Sequence, residues 1–183
     1  LPSSTDGIRF LHVPRTGGTT LTSAWRLGPP EYLGHELSRG ERWTYGFCRN
    51  PWDRLVSVFH LLHPEEPREG QVTFNGWLLE GAGARMIAAL WDGIPIAAPC
   101  STWLRHANFV GRFEDRRDVE LLAGALGRPV PVTHHGARES QRGHASTPRR
   151  HYSTYYTDKS RRIVAAVYGE DIERWGYTFE EAP

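Results

Sequence analysis

Two short stretches carry residues whose types and spacing can do chemistry. The first is Arg15-Thr16-Gly17-Gly18-Thr19-Thr20, which follows the apolar run 8–13 and Pro14. If that run is a strand and a helix opens at Gly18, the turn between them is suited to an anion. The first amides of a helix have no partner within the helix, and its dipole favours negative charge there. Glycines let the backbone come close to the bound group. The hydroxyls of Thr19 and Thr20 can add hydrogen bonds, and Arg15 adds a fixed positive charge. An ordinary strand–turn–helix connection uses the same residues without any ligand.

The second stretch is Cys48-Arg49-Asn50-Pro51-Trp52-Asp53-Arg54-Leu55-Val56-Ser57. It puts Arg49 at the end of a second apolar, aromatic run and Ser57 about two helical turns further on. In a parallel sheet the C-terminal ends of the strands open on one edge, so Arg49 can reach a second anionic group of one ligand. A nucleoside-triphosphate loop, G-x-x-x-x-G-K-[ST], is a poor match. Aligning Thr19 with its Ser/Thr puts His12 at the first glycine and Gly18 where the phosphate-binding lysine belongs.

The elements that must position these residues are legible in outline. Residues 8–13 and 43–48 are predicted core strands, and 108–113 a third. Residues 18–27 are a predicted helix that the Gly28-Pro29-Pro30 run ends. Asn50 is a predicted N-cap with Pro51 at the first helical position and Asp53 in the first turn, for a helix to about residue 62. Leu55, Val58, Phe59 and Leu62 lie on one of its faces. Asp115 caps a helix bearing Val119, Leu121, Leu122 and Leu126. Thr157 or Asp158 caps a last helix, where Ile163, Val164, Val167 and Tyr168 recur at helical spacing. Residues 63–99 are less regular, with Asn75-Gly76 punctuating short helical pieces. Residues 134–150 are polar and form a long loop. Strands alternating with helices imply an α/β fold with a parallel sheet covered on both faces, in a single domain spanning 1–183.

Taken together, RFLHVPRTGGTT resembles the 5′-phosphosulfate loop of sulfotransferases that use 3′-phosphoadenosine 5′-phosphosulfate (PAPS). CRNPWDRLVS is similar to their 3′-phosphate site, usually R-[ND]-P-x-x-R-x-x-S. Residues 108–114 resemble a later strand of that family, and 151–179 the closing helix of its carbohydrate-type members. The pieces occur in family order over nearly the whole chain. The resemblance implies a small bacterial-type member of the carbohydrate/Golgi-like branch, with a three-layer, P-loop-like sulfotransferase fold. It implies that Arg15, Thr16, Gly17, Gly18, Thr19 and Thr20 wrap the 5′-phosphosulfate and that Arg49 and Ser57 bind the 3′-phosphate. The family usually has lysine where Arg15 stands; arginine keeps the charge but does not give up its proton.

The implied reaction transfers a sulfuryl group from PAPS to an acceptor hydroxyl of a glycan or small molecule, leaving the bisphosphate PAP. Arg15 and the loop amides would stabilise charge growing on the leaving phosphate, and no metal is required. The acceptor hydroxyl needs a base. Gly34-His35 resembles a Gly-His pair whose histidine serves as base in some carbohydrate sulfotransferases. His35 is therefore the expected base, with Glu36 and Glu31 as alternatives; an exposed loop histidine is the plainer reading. Ser146, Arg149 and Arg150, in the loop before the last helix, would add phosphate contacts, or else form a solvated basic loop.

Arg54 and Asp53 are expected to be structural, as a helix-start charge and an ion pair. Trp52 is expected to pack the start of its helix. His60 with His63, and His134 with His135, make no recognised zinc pattern.

Composition sets outer bounds. With 183 residues, 39% of them hydrophobic, the chain is long enough for one folded domain with a core. A net charge of +1 excludes a broad basic surface for nucleic acid. Nearly all the basic residues are arginine, Lys159 being the sole lysine, and arginine suits bidentate recognition of phosphate. Cys48 and Cys100 stand in no metal-type spacing, and no run approaches the roughly 20 apolar residues of a membrane span. No signal peptide is visible, so a cytoplasmic location is the expectation. Two other functions fit the same motifs: a P-loop-like kinase using ATP, and a non-catalytic protein that binds PAP or another nucleotide.

Overall fold

The structure, a computed structural model, describes residues 7–28, 42–63, 73–81, 90–91, 93–131 and 150–182. In chain order its elements are β1 (Arg9–Leu11), α1 (Gly18–Ala24), β2 (Thr44–Cys48), α2 (Pro51–Leu62), α3 (Phe74–Gly81), β3 (Leu90–Trp91) and β4 (Ile94–Pro95). After these come α4 (Cys100–Leu104), β5 (Phe109–Arg112), α5 (Arg116–Ala125), a 3-10 turn (Tyr152–Tyr155), α6 (Asp158–Val167) and α7 (Gly169–Trp175).

The three predicted strands form one parallel sheet in the order β1-β2-β5. Phe10 lies beside Tyr45, and Cys48 beside Arg112. Because side chains alternate along a strand, adjacent residues feed opposite faces. Phe10, Tyr45 and Phe47 pack with Leu21 of α1, with Trp25 just after it, and with Val119 and Leu122 of α5. Leu11 and Cys48 point the other way, into a larger cluster with Leu55, Val58 and Phe59 of α2, Trp77 of α3, Trp103 of α4, and Val164 and Tyr168. The molecule is thus α/β, with a small parallel sheet flanked by helices on both faces. That arrangement brings the C-terminal ends of β1, β2 and β5 to one edge.

The departures from the sequence-based expectations have local causes. Helix α1 stops at Ala24 rather than reaching residue 27, because Arg26 turns into a left-handed conformation at φ 50°. Asn75 and Gly76 lie inside α3, where the Thr73 hydroxyl accepts from the Gly76 N–H at 3.1 Å and starts the helix. The closing helix is two helices, broken at Tyr168. Tyr168 is buried and its hydroxyl donates to Ala97 O, while Val167, expected on the core face, is 56% exposed. The two-residue strands β3 and β4 pair antiparallel, too short to carry a periodic signal. Both cysteines are free and buried, and burial pushes both thiols up, that of Cys100 to about 11.

Candidate functional site

The site lies where β1 and β2 end. After β1 the buried residues Val13 and Pro14 lead into a tight turn. Thr16 is buried, and its hydroxyl closes the turn by donating to Val13 O at 2.9 Å. Two residues at positive φ, on either side of Thr16, set the path: Arg15 at φ 66° and Gly17, the N-cap of α1, at φ 78°. For arginine the left-handed region is uncommon and costs about 1–2 kcal/mol. Helix α1 then starts, with Thr20 N–H donating back to Gly17 O at 3.0 Å. Gly18 is buried, whereas Thr19 and Thr20 are exposed at the helix start.

The two glycines have a packing reason beyond anion approach. A Cβ on Gly17 would lie 2.5 Å from the Phe113 ring, and one on Gly18 would lie 2.0 Å from the His12 ring. The loop is therefore closed down on both sides by aromatic side chains.

After β2 the chain enters α2 through Asn50, whose Oδ1 accepts from Trp52 N–H at 3.1 Å. That entry directs Arg49 toward the first loop. The Arg49 guanidinium donates to Arg15 O at 3.0 Å. It pairs with Asp53 at 2.7 Å, which orients it and offsets part of its charge. It also stacks 4.7 Å over the Phe113 ring, the ring that faces Gly17. Ser57 is buried on α2, and its hydroxyl accepts from Arg15 Nε at 2.8 Å. The two motifs therefore converge: the backbone of Arg15 meets Arg49, and the side chain of Arg15 meets Ser57. In this arrangement Ser57 orients Arg15 directly.

Behind Arg49 lies a second layer. Glu114 Oε1 accepts from Asn50 N–H at 2.7 Å, and Glu114 Oε2 from the Tyr177 hydroxyl at 3.1 Å. The Tyr177 hydroxyl is also 3.2 Å from Cys48 Sγ. The glutamate as a whole is exposed, but both carboxylate oxygens are engaged inward. Burial of that end raises its pKa, against the opposing pull of the Asn50 N–H and the Arg49 charge. Asn50 Nδ2 donates to Thr178 O at 3.0 Å, so the C-terminal segment also braces this corner.

Asp53 sits in the first turn of α2 and forms an ion pair as expected, but its partner is Arg49. Arg54 differs from expectation. It is 1% exposed and binds backbone carbonyls, with no ion pair among the described residues. Trp52 packs the start of α2, edge-on to Phe179 at 5.5 Å. His60 Nε2 is 3.1 Å from the Tyr155 hydroxyl, and His63 packs on Phe59. Among the described residues no group of His, Cys, Asp or Glu is placed to hold a metal ion. His35, Glu31, Glu36, Ser146 and Arg149 lie outside the described residues, as do His134 and His135; Arg150 is described and exposed.

Sequence reasoning did not single out Phe113 and Glu114 for the site. Their signal is their place at the end of the predicted third strand and within the 108–114 stretch, which becomes informative once β5 is known to flank β2. No protein-family model, no curated protein and no solved structure matches the chain. Among the described residues no helix is long and apolar enough to cross a membrane.

Proposed function

We propose that the chain is a sulfotransferase that moves a sulfuryl group from PAPS to the hydroxyl of a glycan or small-molecule acceptor. The observation that carries the reading is the closure of the two motifs on one another. Arg49 donates to Arg15 O at 3.0 Å, and Arg15 Nε donates to Ser57 at 2.8 Å, across sequence separations of 34 and 42 residues. Two guanidinium-bearing residues and a glycine turn therefore stand at one sheet edge, the place where α/β folds take phosphorylated ligands.

The donor set fits a phosphorylated ligand. Arginines are suited to phosphate oxygens, and a loop leading into a helix start offers backbone donors. Arg15 and the amides around Gly17 and Gly18 would hold the 5′ end, with Ser57 fixing the Arg15 side chain. Arg49, oriented by Asp53 and Phe113, would hold the 3′-phosphate. PAPS, when bound, supplies the activated sulfuryl group. The chain's own work is then to hold the leaving phosphate rigidly and to supply positive charge where negative charge develops. His35 would accept the acceptor's proton. No part of this scheme calls for a metal ion.

The test is calorimetric titration with PAP, followed by transfer from labelled PAPS to a panel of hydroxylated acceptors. Saturable PAP binding that is lost in Arg49→Ala is expected. No PAP binding by the unaltered protein rejects the reading, and binding of ATP with Mg²⁺ in its place favours a kinase. His35→Ala is expected to abolish turnover and spare PAP binding; unchanged turnover removes His35 from the scheme.

A further inference from the structure

Arg54 is buried deeper than either arginine at the anion loop, with 1% of its surface exposed. Its Nε donates to Pro14 O at 3.0 Å, one terminal nitrogen to Ala98 O at 2.7 Å, and the other to Ile96 O at 2.8 Å. One planar guanidinium thus joins the loop after β1 to the segment leading into α4.

The Pro14 carbonyl is the significant acceptor. It belongs to the peptide unit that precedes the Arg15 Cα, and the Arg15 carbonyl belongs to the unit that follows. Arg54 holds the first, and Arg49 holds the second at 3.0 Å. With both carbonyls held, φ and ψ of Arg15 are restrained, in the left-handed conformation at φ 66° that an arginine does not choose by itself. The same side chain registers the loop against 96–98. That segment is anchored independently: Asp171 accepts from Cys100 N–H at 2.6 Å and Ser101 N–H at 2.8 Å, and Tyr168 donates to Ala97 O.

We infer that Arg54 is a positioning residue for the anion loop. From behind the site it holds the Pro14–Arg15 peptide so that Arg15 keeps its turn, and it locks that turn to the rigid 96–101 segment. The ligand-binding part of this inference rests on the proposed function; the clamp itself does not.

Arg54→Lys and Arg54→Met test it, with Leu122→Ala in the opposite core cluster as a control for lost stability. In ligand-free protein, amide exchange across 15–18 is expected to quicken about tenfold in both Arg54 variants while β2 stays protected. PAP affinity is expected to fall about tenfold or more, because lysine keeps a charge but cannot span three carbonyls. Leu122→Ala should keep its PAP affinity. Exchange that quickens in proportion everywhere, or a lysine variant with full PAP affinity and an undisturbed loop, overturns the inference. If the variants do not fold, the Arg54 Nε–H is followed by NMR in the unaltered protein. Slow exchange there, and a shift on adding PAP or pyrophosphate, are expected; exchange as fast as that of an exposed arginine overturns the clamp. If the unaltered protein binds neither probe, the functional reading falls and the ligand-free exchange result alone decides the clamp.

Discussion

At the end of β2 the chain enters a helix with its own start signals. Asn50 caps α2 through its side chain, Pro51 occupies the first helical position, and Asp53 lies in the first turn. The helix then buries Leu55, Val56, Val58 and Phe59. At the end of β1 the chain enters α1 through Gly17, with no side-chain cap and with two residues at positive φ. Apart from the bond of the Thr16 hydroxyl to Val13 O, its shape is supplied from outside. Arg49, Arg54 and Ser57, all on or beside α2, contact Pro14 O, Arg15 O and Arg15 Nε. One corner of the site is therefore built by local sequence and the other by tertiary contacts. The loop that would grip the anion depends on the helix that would grip the second phosphate.

Gly17→Ala should separate the two corners most sharply. The new methyl meets the Phe113 ring at 2.5 Å on a backbone held at φ 78°. A loss of about 3 kcal/mol is expected, from overpacking plus left-handed strain. Denaturant unfolding measures that loss, and calorimetry should find PAP binding gone. A variant with unaltered stability would mean that Phe113 does not close over the loop. Asn50→Ala attacks the other corner and should cost about 1–2 kcal/mol. It removes the cap and also the tie from Asn50 Nδ2 to Thr178 O. Amide exchange should quicken at the start of α2 and at 177–179 together; quickening at α2 alone would break the proposed bracing.

The same contrast explains what was readable in the sequence. The self-sufficient corner was plain: Asn50, Pro51 and Asp53 announce α2 by local chemistry, and Asp115 announces α5 in the same way. The three strands showed because each carries an apolar or aromatic run. What stayed hidden depends on who meets whom. Nothing local says that Arg54 turns inward to carbonyls at residues 96 and 98, or that Ser57 takes hold of Arg15. Nor does a helical repeat reveal that Tyr168 leaves its helix to reach Ala97 O. The glycines were read correctly as a special turn, but the rings that require them come from Phe113 and His12, and the first of these is distant in sequence.

Arg15→Gly is a subtler break. Glycine adopts φ 66° freely, so the variant gains back the left-handed cost while losing the bond from Arg15 Nε to Ser57. The regained cost of about 1–2 kcal/mol and the lost bond of about 1 kcal/mol largely offset each other, so unfolding stability should move by about 1 kcal/mol at most. PAP affinity should nevertheless fall about tenfold or more with the loss of the guanidinium. Stability and binding would then part company at one residue, as expected where strain is kept for a site. Affinity equal to that of the unaltered protein would show that Arg15 faces no anion.

The smallest expected effect lies under the stable corner, at Glu114. Its carboxyl binds Asn50 N–H and the Tyr177 hydroxyl, and its pKa is raised in the fold, chiefly by burial. A carboxyl with a raised folded pKa binds its proton more readily in the native state than in the unfolded chain. The native state therefore carries the extra proton between the ordinary glutamate value and the raised one. Stability from this group is fullest below that window and is lost as pH rises through it. Exposure of the residue as a whole keeps the effect modest. Glu114→Gln keeps an acceptor for Asn50 N–H but does not titrate. Unfolding free energies measured from about pH 4 to pH 7 should show the unaltered protein losing ground to Glu114→Gln as pH rises. Parallel profiles would mean that the carboxyl titrates like an exposed one. In that case the support beneath Asn50 would come from its own cap and the Thr178 tie, and the first corner would be still more self-sufficient than the second.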